Sequence, residues 1–258
     1  MYPQRRRMVS HALRLGLLVT LVVLALSACG AGGGAEGEGG EGASNACKGK
    51  DAAEAEQANG AKALPGGLAP LPPGRYVTRN FEPTLSFEVG EGWEILDADG
   101  PTLFSIARGD SFYAAYPQAL SFLNPPEEVS DPEHPEKLVP APETPDKWVV
   151  WFQEHRYLET HEPELACFGK APGKQFGSWV SPLPEDYYSS KCEGPYPPLW
   201  SLPAGHYFCA EPGTRSREIV LEVEEEPVII DITAPDGKFD EFVSEAQKVL
   251  ETVEWESA

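Results

Sequence analysis

Residues 218–254 read EIVLEVEEEPVIIDITAPDGKFDEFVSEAQKVLETVE. Two apolar runs, 218–223 and 227–232, flank Glu224-Glu225-Glu226. Strand-length apolar runs joined by a short polar turn predict a β-hairpin. Val228-Ile229-Ile230 is continuously apolar, which suits a central strand. The period then changes from strand to helix. From Asp236 to about Glu254, Phe239, Phe242, Val243, Ala246, Val249, Leu250 and Val253 recur at helical spacing. Asp236 and Asp240 stand near the positive end of the helix dipole. A one-sided apolar stripe needs an apolar surface to lie on, and a sheet face provides it. The expected fold class is therefore α+β, a mostly antiparallel β-sheet covered by a C-terminal amphipathic helix.

Upstream segments extend the sheet. Strand patterns fall at 74–80, 84–89, 93–96, 102–107, 111–116, 119–123, 164–168, 175–180, 199–202 and 206–210. Gly90-Glu91-Gly92 and Asp99-Gly100 read as turns. Residues 124–143, NPPEEVSDPEHPEKLVPAPE, are dense in proline and acid. Proline fixes φ and removes a donor, so neither a helix nor a central strand is expected there. The segment reads as a long exposed loop and a candidate contact surface. Thr144-Pro145 then opens a shorter helix near 145–156, with threonine as N-cap and proline in the first helical position. Trp148, Trp151, Phe152 and His155 share one face of it. A face buried in the core is the first reading, and an aromatic contact for a ligand through Trp148 and Trp151 the second.

The first 64 residues differ in kind. A basic stretch, 1–14, precedes an apolar run of about a dozen residues, 15–26. A spanning helix needs about 20, so the run fits a secretory signal. Leu26-Ser27-Ala28-Cys29 follows, and in this setting it resembles the lipobox of bacterial lipoproteins. The resemblance implies cleavage before Cys29 and a diacylglyceryl group on its sulfur. Two acyl chains hold stably to a bilayer where one is marginal. Arg5-Arg6-Arg7 followed by Met8-Val9 loosely resembles a twin-arginine export signal, so the export route stays open. Residues 30–44, GAGGGAEGEGGEGAS, cannot build a core and read as a flexible tether. From residue 30 to 65 such a chain spans roughly 30–35 Å. The expected organisation is a signal peptide (1–28), a lipidated cysteine and linker (29–64) and one domain (65–258), on the extracytoplasmic face of the cell membrane.

Phe87-Glu88-Val89-Gly90-Glu91-Gly92-Trp93, with Val253-Glu254-Trp255 closing the last helix, resembles the opening and closing of PsbP-like domains. That resemblance implies an antiparallel sheet with flanking helices and a binding role rather than catalysis.

Four cysteines remain beyond Cys29: Cys47, Cys167, Cys192 and Cys209. Outside the cytosol an even number suggests disulfides, here with three possible connectivities. Cys192–Cys209 closes a short proline-rich loop and is favoured, which leaves Cys47–Cys167 or two free thiols.

The net charge is −21, and residues 1–28 carry four arginines and no acid, so cleavage makes the chain more acidic still. Phosphate backbones and anionic headgroups repel such a surface. Nucleic acid is not an expected partner; the membrane, through the lipid on Cys29, is. A protein or cell-wall partner remains unspecified.

No nucleophile elbow, metal-ligand spacing or cofactor motif is present. His134, His155, His161 and His206 read as solvated or core residues. Asp97-Ala98-Asp99-Gly100 resembles only the start of a calcium loop and reads as a turn. A catalytic carboxylate pair cannot be selected among 41 acids without geometry. No cofactor is expected. The expected function is a non-catalytic binding or accessory module held at the membrane. The alternatives are a solute-capturing lipoprotein serving a transporter and a surface hydrolase.

Overall fold

The structure, a computed structural model, describes Cys47 and residues 60–97, 99–108, 118–201 and 207–256. The signal segment, Cys29, the glycine-rich tether, the expected strand at 111–116 and His206 lie outside the described residues. In chain order the strands are β1 (Lys62–Ala63), β2 (Pro70–Leu71), β3 (Gly74–Val77), β4 (Leu85–Val89), β5 (Trp93–Asp97), β6 (Leu103–Arg108), β7 (Ala119–Leu123), β8 (Glu128–Ser130) and β9 (Leu138–Pro140). There follow β10 (Leu158–Thr160), β11 (Glu164–Phe168), β12 (Ala171–Val180), β13 (Pro198–Ser201), β14 (Tyr207–Cys209), β15 (Thr214–Val223), β16 (Glu226–Pro235) and β17 (Glu254–Trp255). A first helix spans Pro145–Glu154 and a C-terminal helix Phe239–Leu250.

The fold is α+β as expected. The main sheet runs β10-β12-β15-β16-β7-β6-β5-β2, with β11 also on β12, and its pairings are antiparallel. Two small sheets accompany it, β1-β3-β4-β17 and β14-β13-β8-β9. The β15–β16 hairpin is at its centre, paired from Thr214↔Pro235 to Val223↔Glu226. Glu224 and Glu225 both adopt positive φ, 53° and 72°. Two left-handed residues make the turn whose twist matches the strands. Glutamate enters that region at a cost, and the long ladder behind it holds the turn in place. Gly173 lets β12 lie close against β15, since a Cβ there would sit 2.1 Å from the Val220 carbonyl oxygen.

Each face of the sheet carries its own core. On one, Phe104, Ile106, Leu120, Phe122, Ile219, Leu221 and Ile230 pack under Phe242, Val243, Ala246, Val249 and Leu250 of the C-terminal helix. Phe104 and Phe122 stack with ring centroids 4.7 Å apart. The apolar stripe therefore lies where its periodicity places it. The helix is shorter than expected, however, and stops at Leu250. Beyond it Val253 is still buried, and Glu254 and Trp255 pair with Ser86 and Leu85 as β17. The Trp255 indole N–H donates to the Phe168 carbonyl at 3.0 Å, and Glu254 ion-pairs with Arg75. These tertiary partners end the helix before its apolar pattern does.

On the other face, Leu123, Phe176, Val220 and Ile229 pack under Trp148, Val149, Trp151 and Phe152 of the first helix, with Leu199 and Trp200 from β13. The expected cap is present: Thr144 Oγ1 accepts from the Lys147 N–H at 3.4 Å, with Pro145 in the first turn.

The reading of 124–143 as a loop needs correction. It contains β8 and β9, and β8 pairs with β13 on one side and β9 on the other. Val129 and Ser130 are fully buried, and the Trp151 indole N–H donates to the Ser130 carbonyl at 2.8 Å. The prolines do not prevent this, because β8 contains none and Pro140 lies on the edge strand β9. Asp99 behaves as a turn residue, its carboxylate accepting the backbone N–H groups of Arg79 at 2.6 Å and Phe81 at 3.0 Å.

The favoured Cys192–Cys209 disulfide is formed, and of the two readings left for the other cysteines the Cys47–Cys167 bridge, not the free thiols, is present. The first closes a span of 17 residues. In the chain-entropy account, a loop of that size stabilises by about 3 kcal/mol. A Cys192→Ser/Cys209→Ser chain is expected to lose roughly that much in urea unfolding with Cys47–Cys167 kept intact. An unchanged midpoint would show that the loop is ordered without its bridge.

Candidate functional site

The second face of the sheet changes chemistry along the strands. One rung across it reads Leu103, Leu123, Ile229, Val220 on β6, β7, β16 and β15. Two residues along, where alternation returns side chains to the same face, the rung reads Ser105, Ser121, Asp231, Glu218. The next reads Ala107, Ala119, Thr233, Ser216, with Ser178 added from β12. The apolar rung lies against the first helix. The two hydroxyl- and acid-bearing rungs form the floor of a cavity of about 240 Å³, walled by Leu158, Val180, Leu199 and Phe208. Trp179 and Ala210 also line it, and exposed Asp97 marks its rim.

Glu218 and Asp231 stand directly opposite one another on adjacent strands. They are only 3% and 2% exposed. The hydroxyls around them are ordered. Ser178 Oγ donates to Glu218 Oε1 at 3.0 Å. Thr233 Oγ1 lies 2.8 and 2.7 Å from the two Asp231 carboxylate oxygens and 2.7 Å from Ser216 Oγ. Thr233 has one proton and gives it to the carboxylate, so Ser216 is the donor to Thr233. Ser105 Oγ donates to Ser121 Oγ at 2.9 Å. Glu218 Oε2 is buried and has no hydrogen-bond partner among the described residues.

Burial raises the Glu218 carboxyl well above the usual range, and the neighbouring Asp231 raises it further. Burial also pushes Asp231 up to about 6, against the lowering effect of the Thr233 and Ser216 hydroxyls. Two carboxylates this close do not both ionise near neutrality, so the pair holds one negative charge. The other ionisable groups lining the cavity are Asp97 and Glu211, the latter also raised by burial. Among the described lining residues there is no lysine, arginine or histidine.

The sequence-selected aromatics are placed elsewhere. Trp148 and Trp151 are buried in the core under the first helix, Trp200 with them, and so offer no contact face to a ligand. Trp179 does line this cavity, its ring set edge-on to His161 at 4.9 Å. His155 is a core residue, held neutral down to about 4 by burial. His134 is exposed beside Asp131. A second, wider groove of about 820 Å³ is lined by glutamates and prolines, including Pro125, Pro126, Glu127 and Pro142 of the acid- and proline-rich segment. Sequence reasoning missed Glu218 and Asp231. The available signal was an acid, Glu218 on one side and Asp231 on the other, toward the end of each apolar run that lies away from the turn.

No family model matches the chain, and no curated protein matches it in sequence. Among solved structures it is similar to the solution structure of cyanobacterial PsbP (CyanoP) from Synechocystis sp. PCC 6803, at 9% identity and a TM-score of 0.35. That match covers 75% of this chain and 98% of the other.

Proposed function

We propose that the chain is a lipid-anchored, extracytoplasmic, non-catalytic binding module that holds a small solute in the cavity over Glu218 and Asp231. The observation that carries the binding half is the buried Glu218 Oε2 left without a partner at the cavity floor. A buried polar atom without a hydrogen bond is costly, and a bound ligand is one way the cost is relieved. The Leu26-Ser27-Ala28-Cys29 lipobox supports the anchoring half. Together they favour capture of a solute at the membrane surface, the role of a module that feeds a transporter.

Each half has its own test. A Cys29→Ser chain is expected to leave the membrane fraction of expressing cells almost entirely, because it loses both acyl chains. Retention of the variant in membranes would remove the anchor from the account. A thermal-shift screen of amines, sugars, peptides and metal cations on the full chain in detergent is expected to return a stabilising solute. Filling the cavity with Ala119→Phe should abolish that response. A screen with no hit, or a hit indifferent to the filling variant, would remove the binding role.

A further inference from the structure

We infer that the cavity takes a small organic monocation, a protonated amine on a compact apolar body, with its ammonium set against Glu218 and Asp231. The inference rests on the solute-binding reading above and specifies its ligand.

Charge selects the class. Among the described residues, every ionisable group lining the cavity is an acid: Asp97 at the rim, Glu211, and Glu218 and Asp231 at the floor. An anionic ligand would meet repulsion from these groups and no compensating base among the described residues. A cation meets the opposed pair, and because like charges on adjacent strands suppress each other's ionisation, that pair offers one negative charge. A single positive charge balances it, which buried charges require.

Hydrogen bonding selects an ammonium. It has three donors and no acceptor. Glu218 Oε2 is an oxygen without a partner, and the Asp231 carboxylate opposes it across the register. The hydroxyls of Ser178, Ser216 and Thr233 already point their protons inward along the chain of bonds that ends on the two carboxyls. The floor thus presents carboxyl oxygen to the cavity, with the one negative charge of the pair to balance.

The walls select an organic body over a metal ion. Hard cations take six to eight oxygen ligands, or keep waters in their place. Above the acids stand Leu103, Leu158, Val180, Leu199 and Phe208, which supply none. Among the described residues no third acid, histidine or cysteine joins the pair in a metal-holding group. These side chains suit a hydrocarbon or aromatic body, and about 240 Å³ restricts it to a small one.

The test uses three probes of one shape: benzylammonium, benzyl alcohol and benzoate, titrated by calorimetry onto the full chain in detergent at pH 7.5. Benzylammonium is expected to bind at least tenfold more tightly than the alcohol, and benzoate not at all. Asp231→Asn is expected to remove that preference. Glu218→Gln provides a second variant should the first fail to fold. Equal affinity for ammonium and alcohol, or an ammonium preference that survives both variants, overturns the cation class and leaves the solute-binding cavity standing. No binding by any probe overturns the cation class, and together with an empty screen it takes the binding role with it.

Discussion

Truncation of Trp148 to alanine is expected to lower the free energy of unfolding by about 4 kcal/mol. The ring is 0% exposed. It meets Trp151 edge-on at 5.6 Å, Trp200 edge-on at 6.2 Å and Phe152 at 6.3 Å, so removing it opens a cavity among rigid aromatic walls. Those walls cannot collapse inward without disturbing β13 and the first helix together. Trp148→Phe separates the ring from its indole nitrogen, which is buried without a hydrogen-bond partner among the described residues. The phenylalanine variant loses part of the ring area and also removes a bare N–H, so its cost is expected to stay below about 1.5 kcal/mol. Urea midpoints of the three chains decide the matter. A loss of under 1 kcal/mol for Trp148→Ala would mean the ring is not a core residue, and the ligand-platform reading of the helix face would return.

That face shows where a single sequence stops informing. Its spacing predicts a helix with one aromatic side, and its Thr144-Pro145 start is a local signal, so both are legible. What covers the aromatic side is not. Trp200 is almost fifty residues away, and β8 reaches it through the pairing Trp200↔Val129 across an even longer separation. Strands as short as β8 and β10 are made by such partners more than by their own three residues, which is why proline density misleads at 124–143. The C-terminal helix repeats the lesson at one residue. Val253 continues the apolar stripe, yet the chain has already left the helix because Trp255 is held by Leu85 and Phe168.

The cavity was the least legible feature, since its floor is drawn from five strands spread between Leu103 and Pro235. One part of it was nevertheless encoded locally. A turn at Glu224-Glu225 fixes the hairpin register, and Glu218 and Asp231 lie equally far from it on either side. Opposed positions in an antiparallel pair share a face, so the turn alone sets two acids side by side. The turn reading with Glu226 included left that register one residue undetermined, and a one-residue slip would have faced Asp231 with an apolar neighbour instead.

The same pair predicts an unusual pH dependence. Replacing Glu218 by glutamine and Asp231 by asparagine is expected to stabilise the protein at pH 8 by more than about 3 kcal/mol. Both carboxyls are raised in the folded state, so the folded protein binds more protons than the unfolded chain between pH 4 and neutrality. Their contribution is fully present below about 4, declines as pH rises through about 6 for Asp231, and continues to decline as Glu218 ionises. The rise of Asp231 from 3.8 to about 6 corresponds to about 3 kcal/mol, and Glu218 adds to it. His155 acts in the opposite sense. Burial holds it neutral down to about 4, so its contribution is present above its ordinary 6.5 and is lost as pH falls through that interval. The comparison that isolates the acids is therefore parent against double variant, by urea unfolding at pH 4, 6 and 8. The two curves should lie close together at pH 4 and separate steadily above it. Parallel curves would show that the carboxyls are hydrated in the native protein, and with that the dry acid floor on which ligand selection depends would be lost. Divergence would mean that the central hairpin keeps two acids where amides would be more stable, the pattern expected when a site is retained for what it binds.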